Sequence, residues 1–346
     1  MKYDSEYWND VEKVVAIIPN IINLYNKRIL ITGVTGMICS AIVDVLIYLN
    51  RYKNANITLN LAGRDKKKIA ERFDNVLTEG DWNYIEFDST KTEDIDITVD
   101  YIINGASYAD PAMFSKQPVE ILLSNVLGLN CLLKLAKNNV GCRLLHLSSS
   151  EVYGNRINGV YEPYKEEDYG FVDIMNPRSC YPSGKRAADT LCVSYSAEYD
   201  VDSVMVRPGH IYGPSATASD SKASSVFMRD VLAKRNIVMK SAGSQMRSYC
   251  YSLDCASAIL TVLINGERTK VYNISDDSLI KSIRDIAEEL AKQGGVDIVF
   301  ENPSDKEQKS FNMMSNSALN GEKLVALGWK PVFNLHDGVE RTLRYY

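Results

Sequence analysis

A glycine-containing turn between a short apolar segment and a helix is the feature that most restricts the fold of this chain. Arg28–Thr32 has the apolar character of a buried strand, Gly33 and Gly36 follow in the turn, and residues 40–50 show the apolar spacing of a helix. In this order, backbone N–H groups and the helix N-terminus face a phosphate group. The arrangement therefore predicts a dinucleotide site at the end of the first strand of a parallel sheet.

Strand-like and helical segments alternate over the first 207 residues, which is the pattern of an α/β doubly wound parallel sheet of the Rossmann type. We expect three parts: a helical extension over 1–26, a dinucleotide-binding domain over 27–207 and a smaller α/β substrate lobe over 208–346. The expected strands lie near residues 28–32, 57–61, 83–87, 100–104, 142–148 and 203–207.

Tyr181 and Lys185 lie four residues apart in a segment of helical character, so their side chains are expected on one face of a helix. A free tyrosine has a pKa of ~10 and is a poor base at neutral pH. A fixed ammonium group nearby favours the phenolate and is expected to lower the pKa of Tyr181. The pair therefore predicts a base that removes a proton from an alcohol.

A run of hydroxyl groups and one carboxylate follows the apolar strand that ends at Leu147. Ser149, Ser150 and Glu151 are expected at the carboxyl end of this strand, where parallel sheets place reactive groups. A hydroxyl group at this position can hydrogen-bond the same substrate oxygen that Tyr181 deprotonates. We therefore expect these residues and Tyr181 to share one site.

Together, these motifs resemble those of the extended short-chain dehydrogenase/reductases of the nucleotide-sugar epimerase/dehydratase family, over roughly residues 27 to 346. Cys39 departs from the family pattern because it stands where a third glycine is usual. The resemblance implies an enzyme that oxidises a nucleotide-linked sugar at C4 with a nicotinamide cofactor. Further matching segments are Asn104–Ser107, Asn125–Gly128, Arg207–Pro214, Arg247–Asp254 and Leu327–Pro331.

The resemblance also implies roles for single residues. It implies that Ser149, Tyr181 and Lys185 form the catalytic triad, with Ser150 and Glu151 acting beside it. The residues that it implies in cofactor binding are Gly33, Gly36, Met37, Ile38, Arg64, Asp88, Ser107, Asn125, Tyr181, Lys185, Pro208 and His210. Those that it implies in substrate binding are Tyr108, Ser150, Glu151 and Arg247.

The choice between NAD and NADP depends on the end of the second strand, where NAD-specific sheets usually carry an acid that holds the ribose. Arg64 there would suit the 2′-phosphate of NADP, whereas Asp65 would suit the ribose of NAD. We favour NAD, because the resembling enzymes recycle a tightly held NAD, and leave NADP open.

Ser150 and Glu151 also bear on the reaction. Within the family, the pair Ser-Glu after the catalytic hydroxyl resembles that of UDP-glucuronate decarboxylases, whereas 4,6-dehydratases carry Asp-Glu and 4-epimerases carry no acid. The segment Pro177–Tyr181 and Arg247, a candidate proton donor or sugar clamp, also resemble those of the decarboxylases. His210 and Asp110 depart from the decarboxylase pattern, and Asp110 would repel a sugar carboxylate.

A decarboxylase is therefore the leading expectation, and three alternatives stay open. They are a nucleotide-sugar 4-epimerase, a 4,6-dehydratase or 4-ketoreductase, and a nucleotide-sugar or NAD sensor without turnover. The intact set of Ser149, Tyr181 and Lys185 argues against the sensor, which has no need of a phenolate.

Composition restricts the partners. A net charge of −5 gives no reason to expect nucleic-acid binding, and seven scattered cysteines with three histidines predict no metal site. No apolar run reaches the ~18 residues of a membrane span, so we expect a cytoplasmic protein. The resemblance implies a homodimer in which helices near 118–138 and 182–199 form a four-helix bundle.

Overall fold

The computed structural model describes residues 1–156, 162–303, 314 and 316–346. Seven strands form its central sheet: β1 (Arg28–Thr32), β2 (Thr58–Gly63), β3 (Trp82–Glu86), β4 (Tyr101–Asn104), β5 (Arg143–Leu147), β6 (Asp202–Pro208) and, late in the chain, β10 (Val271–Ile274). They are all parallel, in the order β10-β6-β5-β4-β1-β2-β3. The predicted doubly wound parallel sheet is confirmed, and β10 adds a seventh strand to the six that were expected.

Helices cover both faces of this sheet. Along the chain, the described helices are α1 (Ser5–Ala16), α2 (Met37–Lys53), α3 (Lys66–Arg72), α4 (Pro111–Phe114), α5 (Pro118–Asn138), α6 (Cys180–Tyr199), α7 (Ala223–Leu232), α8 (Ser252–Asn265), α9 (Ile283–Gly294), α10 (Glu322–Val325) and α11 (Leu335–Tyr345), of which α2, α5, α6 and α8 form most of the cover. Alternate side chains of a strand point to opposite faces. Ile29 and Ile31 of β1 accordingly share a core with α2 and α8, whereas Leu30 shares one with α5 and α6.

The rest of the C-terminal part is built from short elements. β7 (His210–Tyr212), β11 (Ile280–Ser282) and β13 (Asn316–Ser317) each pair with β9 (Met246–Tyr251). β8 (Ile237–Met239) and β12 (Ile298–Phe300) form a separate parallel pair. β7 and the sheet around β9 lie next to the carboxyl end of β6, because only Gly209 separates β6 from β7.

The expected boundary at residue 207 stays a prediction, but the chain beyond it returns to the central sheet. β10 pairs with β6 over four residues, from Val271 opposite Met205 to Ile274 opposite Pro208. α8 packs on α2 in the same core. The C-terminal part therefore contributes both a strand and a covering helix to the dinucleotide-binding sheet.

The N-terminal residues pack on α2 and α8 through α1. Tyr7, Val11 and Val14 are buried in the same core as the central sheet. The buried carboxylate of Asp10 accepts hydrogen bonds from Arg341 Nε at 2.8 Å and from the Tyr345 hydroxyl at 2.9 Å. The first helix is thereby joined to the last one, α11.

One helix, α5, is longer and more apolar than was predicted. By length and composition alone, α5 could cross a membrane, which corrects the expectation that no segment has these properties. Three charged side chains, Glu120, Lys134 and Lys137, interrupt its apolar residues. The mean hydropathy of the helix nevertheless stays as high as that of a membrane span. Ile121, Leu129 and Leu132 lie on its buried side and pack inside the protein, as in the core helix of a globular domain.

Candidate active site

The turn after β1 forms a cradle that has room only for glycine. Gly33 has a φ of 72°, and a Cβ at this position would lie 2.6 Å from the carbonyl oxygen of Gly105, just after β4. The Thr32 hydroxyl accepts hydrogen bonds from the amides of Gly105 at 3.2 Å and Ala106 at 3.1 Å, which joins the ends of β1 and β4. Gly36 is the N-cap of α2, so the unpaired amides of that helix begin at this turn.

A cavity of about 620 Å³ lies along this turn and the ends of β2 and β4. Its size is ordinary for a site that holds a small molecule or cofactor. The glycine cradle, the helix N-terminus and the cavity together fit a dinucleotide. Five of the predicted site residues line the cavity: Gly33, Gly36, Arg64, Ser107 and Tyr108.

Arg64 and Tyr108 contact each other in this cavity. Arg64 Nη1 donates a hydrogen bond to the Tyr108 hydroxyl at 2.6 Å, and the guanidinium carbon lies 5.4 Å from the centre of the ring. Tyr108, which was expected to bind the substrate, therefore lies among the residues around the dinucleotide cavity. Asp65 caps α3, because its carboxylate accepts hydrogen bonds from the amides of Lys67 and Lys68.

Other residues of the predicted cofactor set lie next to these. Met37 and Ile38 are the first residues of α2. Ser107 donates its hydroxyl to Asn125 Oδ1 at 3.0 Å, which places α5 against the cavity wall. Partial burial disfavours ionised Asp88, but hydrogen bonds from the Thr90 amide and hydroxyl outweigh it and hold the pKa of Asp88 below its ordinary value.

Cys39 fits where a third glycine is usual because a glycine stands opposite it. A Cβ at position 105 would collide with the sulfur of Cys39, so the bare backbone of Gly105 makes room for this side chain. Burial raises the pKa of the Cys39 thiol to about 12. The thiol is therefore neutral and acts as a packing group.

Tyr181 lies at the start of α6 with its ring stacked on that of Phe114, the two ring centres being 4.7 Å apart. Burial raises the pKa of Tyr181 well above its ordinary value; the hydrogen bond with Ser149 opposes this effect, and the charge of Glu151 adds to it. The expectation that Lys185 lowers this pKa is therefore wrong for the protein alone. The physical reason is burial, the largest cause of the shift, which disfavours the ionised phenol.

Lys185 is also buried, one helical turn after Tyr181. Its Nζ donates a hydrogen bond to the carbonyl oxygen of Leu147 at 2.6 Å and lies 5.9 Å from the centre of the Tyr181 ring. Burial lowers the pKa of Lys185 to about 8, and the charge of Asp189 counteracts part of this effect. Asp189 is held in turn by Arg207 Nη2 at 3.0 Å.

Glu151 forms an ion pair with Arg178, just before α6. The two terminal nitrogens of Arg178 lie 3.3 and 3.4 Å from the two carboxylate oxygens of Glu151. Ser149 accepts a hydrogen bond from the Glu151 amide at 3.2 Å, and Ser150 is buried beside it. The structure thus brings Ser149, Glu151 and Tyr181 together.

Arg247 and His210 occupy neighbouring strands, β9 and β7. Arg247 is buried and donates hydrogen bonds to the carbonyl oxygens of Met246 at 2.7 Å and Met314 at 2.8 Å. Burial and the nearby charges of Arg247 and Lys222 lower the pKa of His210 to about 3, so the imidazole is neutral at physiological pH. Pro208 ends β6 and is separated from His210 by a single residue.

Three residues of this arrangement were missed as site residues. Phe114 supports the Tyr181 ring, Arg178 holds Glu151, and Asp189 faces Lys185. Arg178 lies inside the segment Pro177–Tyr181, so its place in the sequence gave a usable signal. Phe114 lies 67 residues before Tyr181, and no local pattern connects the two.

Known proteins resemble this chain in sequence over most of its length. Its residues 29–275 match the NAD dependent epimerase/dehydratase family. UDP-glucuronic acid decarboxylase 1 of Xenopus tropicalis is 29% identical over 322 residues, which cover 92% of this chain and 72% of that protein. UDP-glucuronic acid decarboxylase 6 of Arabidopsis thaliana is 29% identical over 317 residues, which cover 91% of this chain and 87% of that protein.

A solved structure shows the same fold. The UDP-glucuronic acid 4-epimerase of Bacillus cereus, in complex with UDP-glucuronic acid and NAD, aligns with a TM-score of 0.76 at 20% identity, over 92% of this chain and 98% of that one. The family description names NAD, which agrees with the choice of NAD over NADP. Because the family match covers well over half of its residues, this chain belongs to the NAD dependent epimerase/dehydratase family.

Proposed function

We propose that this protein is an NAD-dependent decarboxylase of a nucleotide-linked glucuronate. The observation that carries the proposal is the position of Glu151. It is paired with Arg178, its amide donates a hydrogen bond to Ser149, and its charge raises the pKa of Tyr181. A 4-epimerase changes bonds only at C4 and has no task for such a carboxylate. The names of the two relatives, both UDP-glucuronic acid decarboxylases, support the same reaction.

The cofactor would be held at the turn after β1. Gly33, Gly36, Met37 and Ile38 would face its pyrophosphate, because the helix N-terminus attracts negative charge. The cation of Arg64 and the carboxylates of Asp65 and Asp88 would meet its adenosine half. The remaining cofactor contacts that we propose are Ser107, Asn125, Tyr181, Lys185, Pro208 and His210.

Bound NAD would supply the redox chemistry, because its nicotinamide would accept a hydride from C4 of the sugar, return it later, and carry positive charge while oxidised. Tyr181 takes the proton of the C4 hydroxyl, and Ser149 hydrogen-bonds the same oxygen. In the protein alone, burial keeps Tyr181 protonated. Positive charge, from Lys185 among other sources, is therefore needed to favour its phenolate.

Oxidation at C4 makes the sugar a β-keto acid, whose C5–carboxyl bond breaks with release of CO2. The electron pair of that bond moves into the C4 carbonyl, where Tyr181 and Ser149 stabilise the enolate oxygen. A proton from the solvent then adds to C5. Return of the hydride to C4, with the proton that Tyr181 holds going back to the C4 oxygen, would make the reaction redox-neutral. We assign Ser150 and Glu151 to the C5 side, and Arg247 to the sugar as a fixed positive charge.

Asp110 was expected to disfavour a decarboxylase, because its charge would repel a sugar carboxylate. In the structure its carboxylate has other partners. Its carboxylate accepts hydrogen bonds from the Ala112 amide at 3.1 Å and from the Ser221 hydroxyl, as the N-cap of α4. This engagement supports the proposal, because a carboxylate that caps a helix is held away from the substrate by its own hydrogen bonds.

We propose further that two copies associate through the outer faces of α5 and α6. Val119, Leu122 and Leu123 on α5 and Val193 on α6 are exposed apolar side chains, which a four-helix bundle would cover. We also place the protein in the cytoplasm, because all seven of its cysteines are free thiols, as in a reducing compartment. The division into parts 1–26, 27–207 and 208–346 belongs to the same proposal.

Incubation with nucleotide sugars tests the reaction. The purified protein with NAD is given UDP-glucuronate, UDP-glucose and dTDP-glucose separately, and the products are followed by NMR and by capture of CO2. We expect CO2 and a nucleotide pentose from UDP-glucuronate. Formation of the C4 epimer would instead establish a 4-epimerase, which is an isomerase. Formation of a 4-keto-6-deoxy sugar would establish a dehydratase. Binding without turnover of any sugar would favour the sensor.

A further inference from the structure

Arg178 is placed to contact a ligand as well as Glu151. It lies in the short turn Pro177–Ser179 that leads into α6, and both its side chain and that of Glu151 are about five-sixths buried, at 16% and 17% exposure. Its guanidinium carbon lies 5.5 Å from the centre of the Phe114 ring, and Phe114 stacks on Tyr181. The guanidinium group is therefore one aromatic ring away from the proposed base.

The pairing of Arg178 leaves part of its hydrogen-bonding capacity unused. Its contacts to Glu151, at 3.3 and 3.4 Å, are longer than the ~2.7–2.9 Å of a tight charge-assisted hydrogen bond. Its Nε is buried and has no hydrogen-bond partner among the described residues. A buried donor without a partner is costly, so the site is suited to a further acceptor.

The positive charges around Glu151 would also attract a second anion. Glu151 interacts with the positive charges of both Arg178 and Arg247. Arg247 is held in place by the carbonyl oxygens of Met246 and Met314. Among the described residues, one carboxylate thus faces two guanidinium groups, and a sugar carboxylate would add a second negative charge to the pair.

We propose that Arg178 is the specificity-determining residue that selects a sugar carrying a carboxylate. This inference rests on the proposed function and identifies the group that recognises its substrate. Arg178 gives up part of its pairing with Glu151 and donates to the substrate carboxylate, while Glu151 keeps its place beside Ser149. Glu151 and the sugar carboxylate thus compete for the same guanidinium group.

Equilibrium binding tests this role without depending on turnover. Dissociation constants of UDP-glucuronate and UDP-glucose are measured by calorimetry with saturating NAD, on the wild type, Arg178→Gln, Arg178→Lys and Glu151→Gln. We expect Arg178→Gln to weaken UDP-glucuronate by about 10–100-fold, which is the usual worth of hydrogen bonds to a charged group, and UDP-glucose by less than about 3-fold. Arg178→Lys should recover part of this loss, because it keeps the charge but not the planar geometry.

The Glu151→Gln variant gives a result of opposite sign. Removing the competing carboxylate should tighten UDP-glucuronate and leave UDP-glucose unchanged, even though both substitutions lower turnover. Arg268→Gln is the matched control, because Arg268 pairs with Asp200 and Ser196 on the surface, outside the proposed site. It should bind both sugars as the wild type does.

The outcomes separate this inference from the proposed function. The role of Arg178 is overturned if Arg178→Gln loses affinity equally for both sugars. It is also overturned if the wild type does not bind UDP-glucuronate more tightly than UDP-glucose. If CO2 is released in that case, the decarboxylase still stands. If the selective loss is seen without any release of CO2, the role of Arg178 stands and the decarboxylase falls.

Discussion

Burial works against the ionised forms of both Tyr181 and Lys185. It raises the pKa of the phenol and lowers that of the ammonium group to about 8, so each is closer to its neutral form than in water. Asp189 and the hydrogen bond from Ser149 to Tyr181 oppose these effects only in part. The chemistry of the pair is therefore sensitive to small changes in the charges around it.

The first prediction concerns Tyr181→Phe. It removes the hydroxyl and keeps the ring that stacks on Phe114, so the fold and the dinucleotide cavity should be unaffected. Turnover should fall by about 10²–10⁴-fold, which is the usual contribution of a positioned acid or base. Steady-state kinetics check this, with NAD binding and melting temperature as controls. A variant that keeps its rate would remove Tyr181 from the mechanism.

The second prediction is a pH dependence. Above about pH 8, Lys185 loses its proton and with it the positive charge that favours the phenolate, so kcat/KM should fall on the alkaline side. Because Asp189 raises the pKa of Lys185, Asp189→Asn should move this decline to lower pH. The pH profiles of the two proteins decide the point. Identical alkaline limbs would show that the titration of Lys185 does not control the rate.

The third prediction concerns Glu151→Gln. In a decarboxylase, losing this ionised group should raise the barrier by at least ~3 kcal/mol, as for other preorganised electrostatic contacts. In a 4-epimerase the change should stay within about tenfold, or ~1.4 kcal/mol. Turnover is measured together with melting temperature, because a purely structural Glu151 would lower stability and leave the rate per folded molecule unchanged. A rate near that of the wild type would contradict the decarboxylase.

Some properties of the site could be predicted from local sequence pattern, whereas others depend on contacts between distant parts of the chain. Ser149 and Tyr181 follow an apolar strand or begin a helix, so local pattern located them. The raised pKa of Tyr181 was not predictable, because it depends on burial by Phe114 and neighbouring elements. The same holds for the pairing of Cys39 with Gly105, since the space for the sulfur is set by a different strand.

At the scale of secondary-structure elements, the strands of the sheet were predictable with one exception. β1, β5 and β6 are apolar runs buried on both faces, which are recognisable by composition. β10 has only four residues, and nothing in Val271–Ile274 shows which sheet it joins. Its place is decided by pairing with β6, a contact between residues more than sixty positions apart.

The fourth prediction concerns the outer face of α5 and α6. Leu122 is 39% exposed, and Leu122→Glu would place a charge inside the proposed four-helix bundle. Light scattering at micromolar concentration should show a dimer for the wild type and a monomer for this variant. Val140→Glu, at a fully exposed position just after α5, is the control and should remain dimeric. A monomeric wild type would exclude the bundle.

At the scale of the whole molecule, the two ends of the described chain are held together. The Lys2 amide donates to the carbonyl oxygen of Tyr345 at 2.8 Å, and Asp10 joins α1 to Arg341 and Tyr345 of α11. Asp44 of α2 accepts hydrogen bonds from the hydroxyls of Tyr3 at 2.9 Å and Tyr7 at 2.6 Å. The N-terminal residues are thus a part of the core.

The fifth prediction concerns Asp10→Ala. This change leaves Arg341 and the Tyr345 hydroxyl without their buried acceptor, which should lower the free energy of unfolding by about 3 kcal/mol or more. Thermal and urea unfolding check the loss. Glu12→Ala, on the same helix but with an exposed partner in Lys53, should unfold as the wild type does. Equal stability of all three proteins would show that the buried ion pair does not hold α1 in place.

The return of the chain to the central sheet at β10 limits how a ligand can enter the site. If the part after residue 207 moved away as one rigid body, the pairing of β10 with β6 over four residues would break. The contact between α8 and α2 would be lost as well. We therefore expect no simple hinge at the end of β6. A ligand should reach the space beside Tyr181 while the two halves of the protein stay joined through β10 and α8.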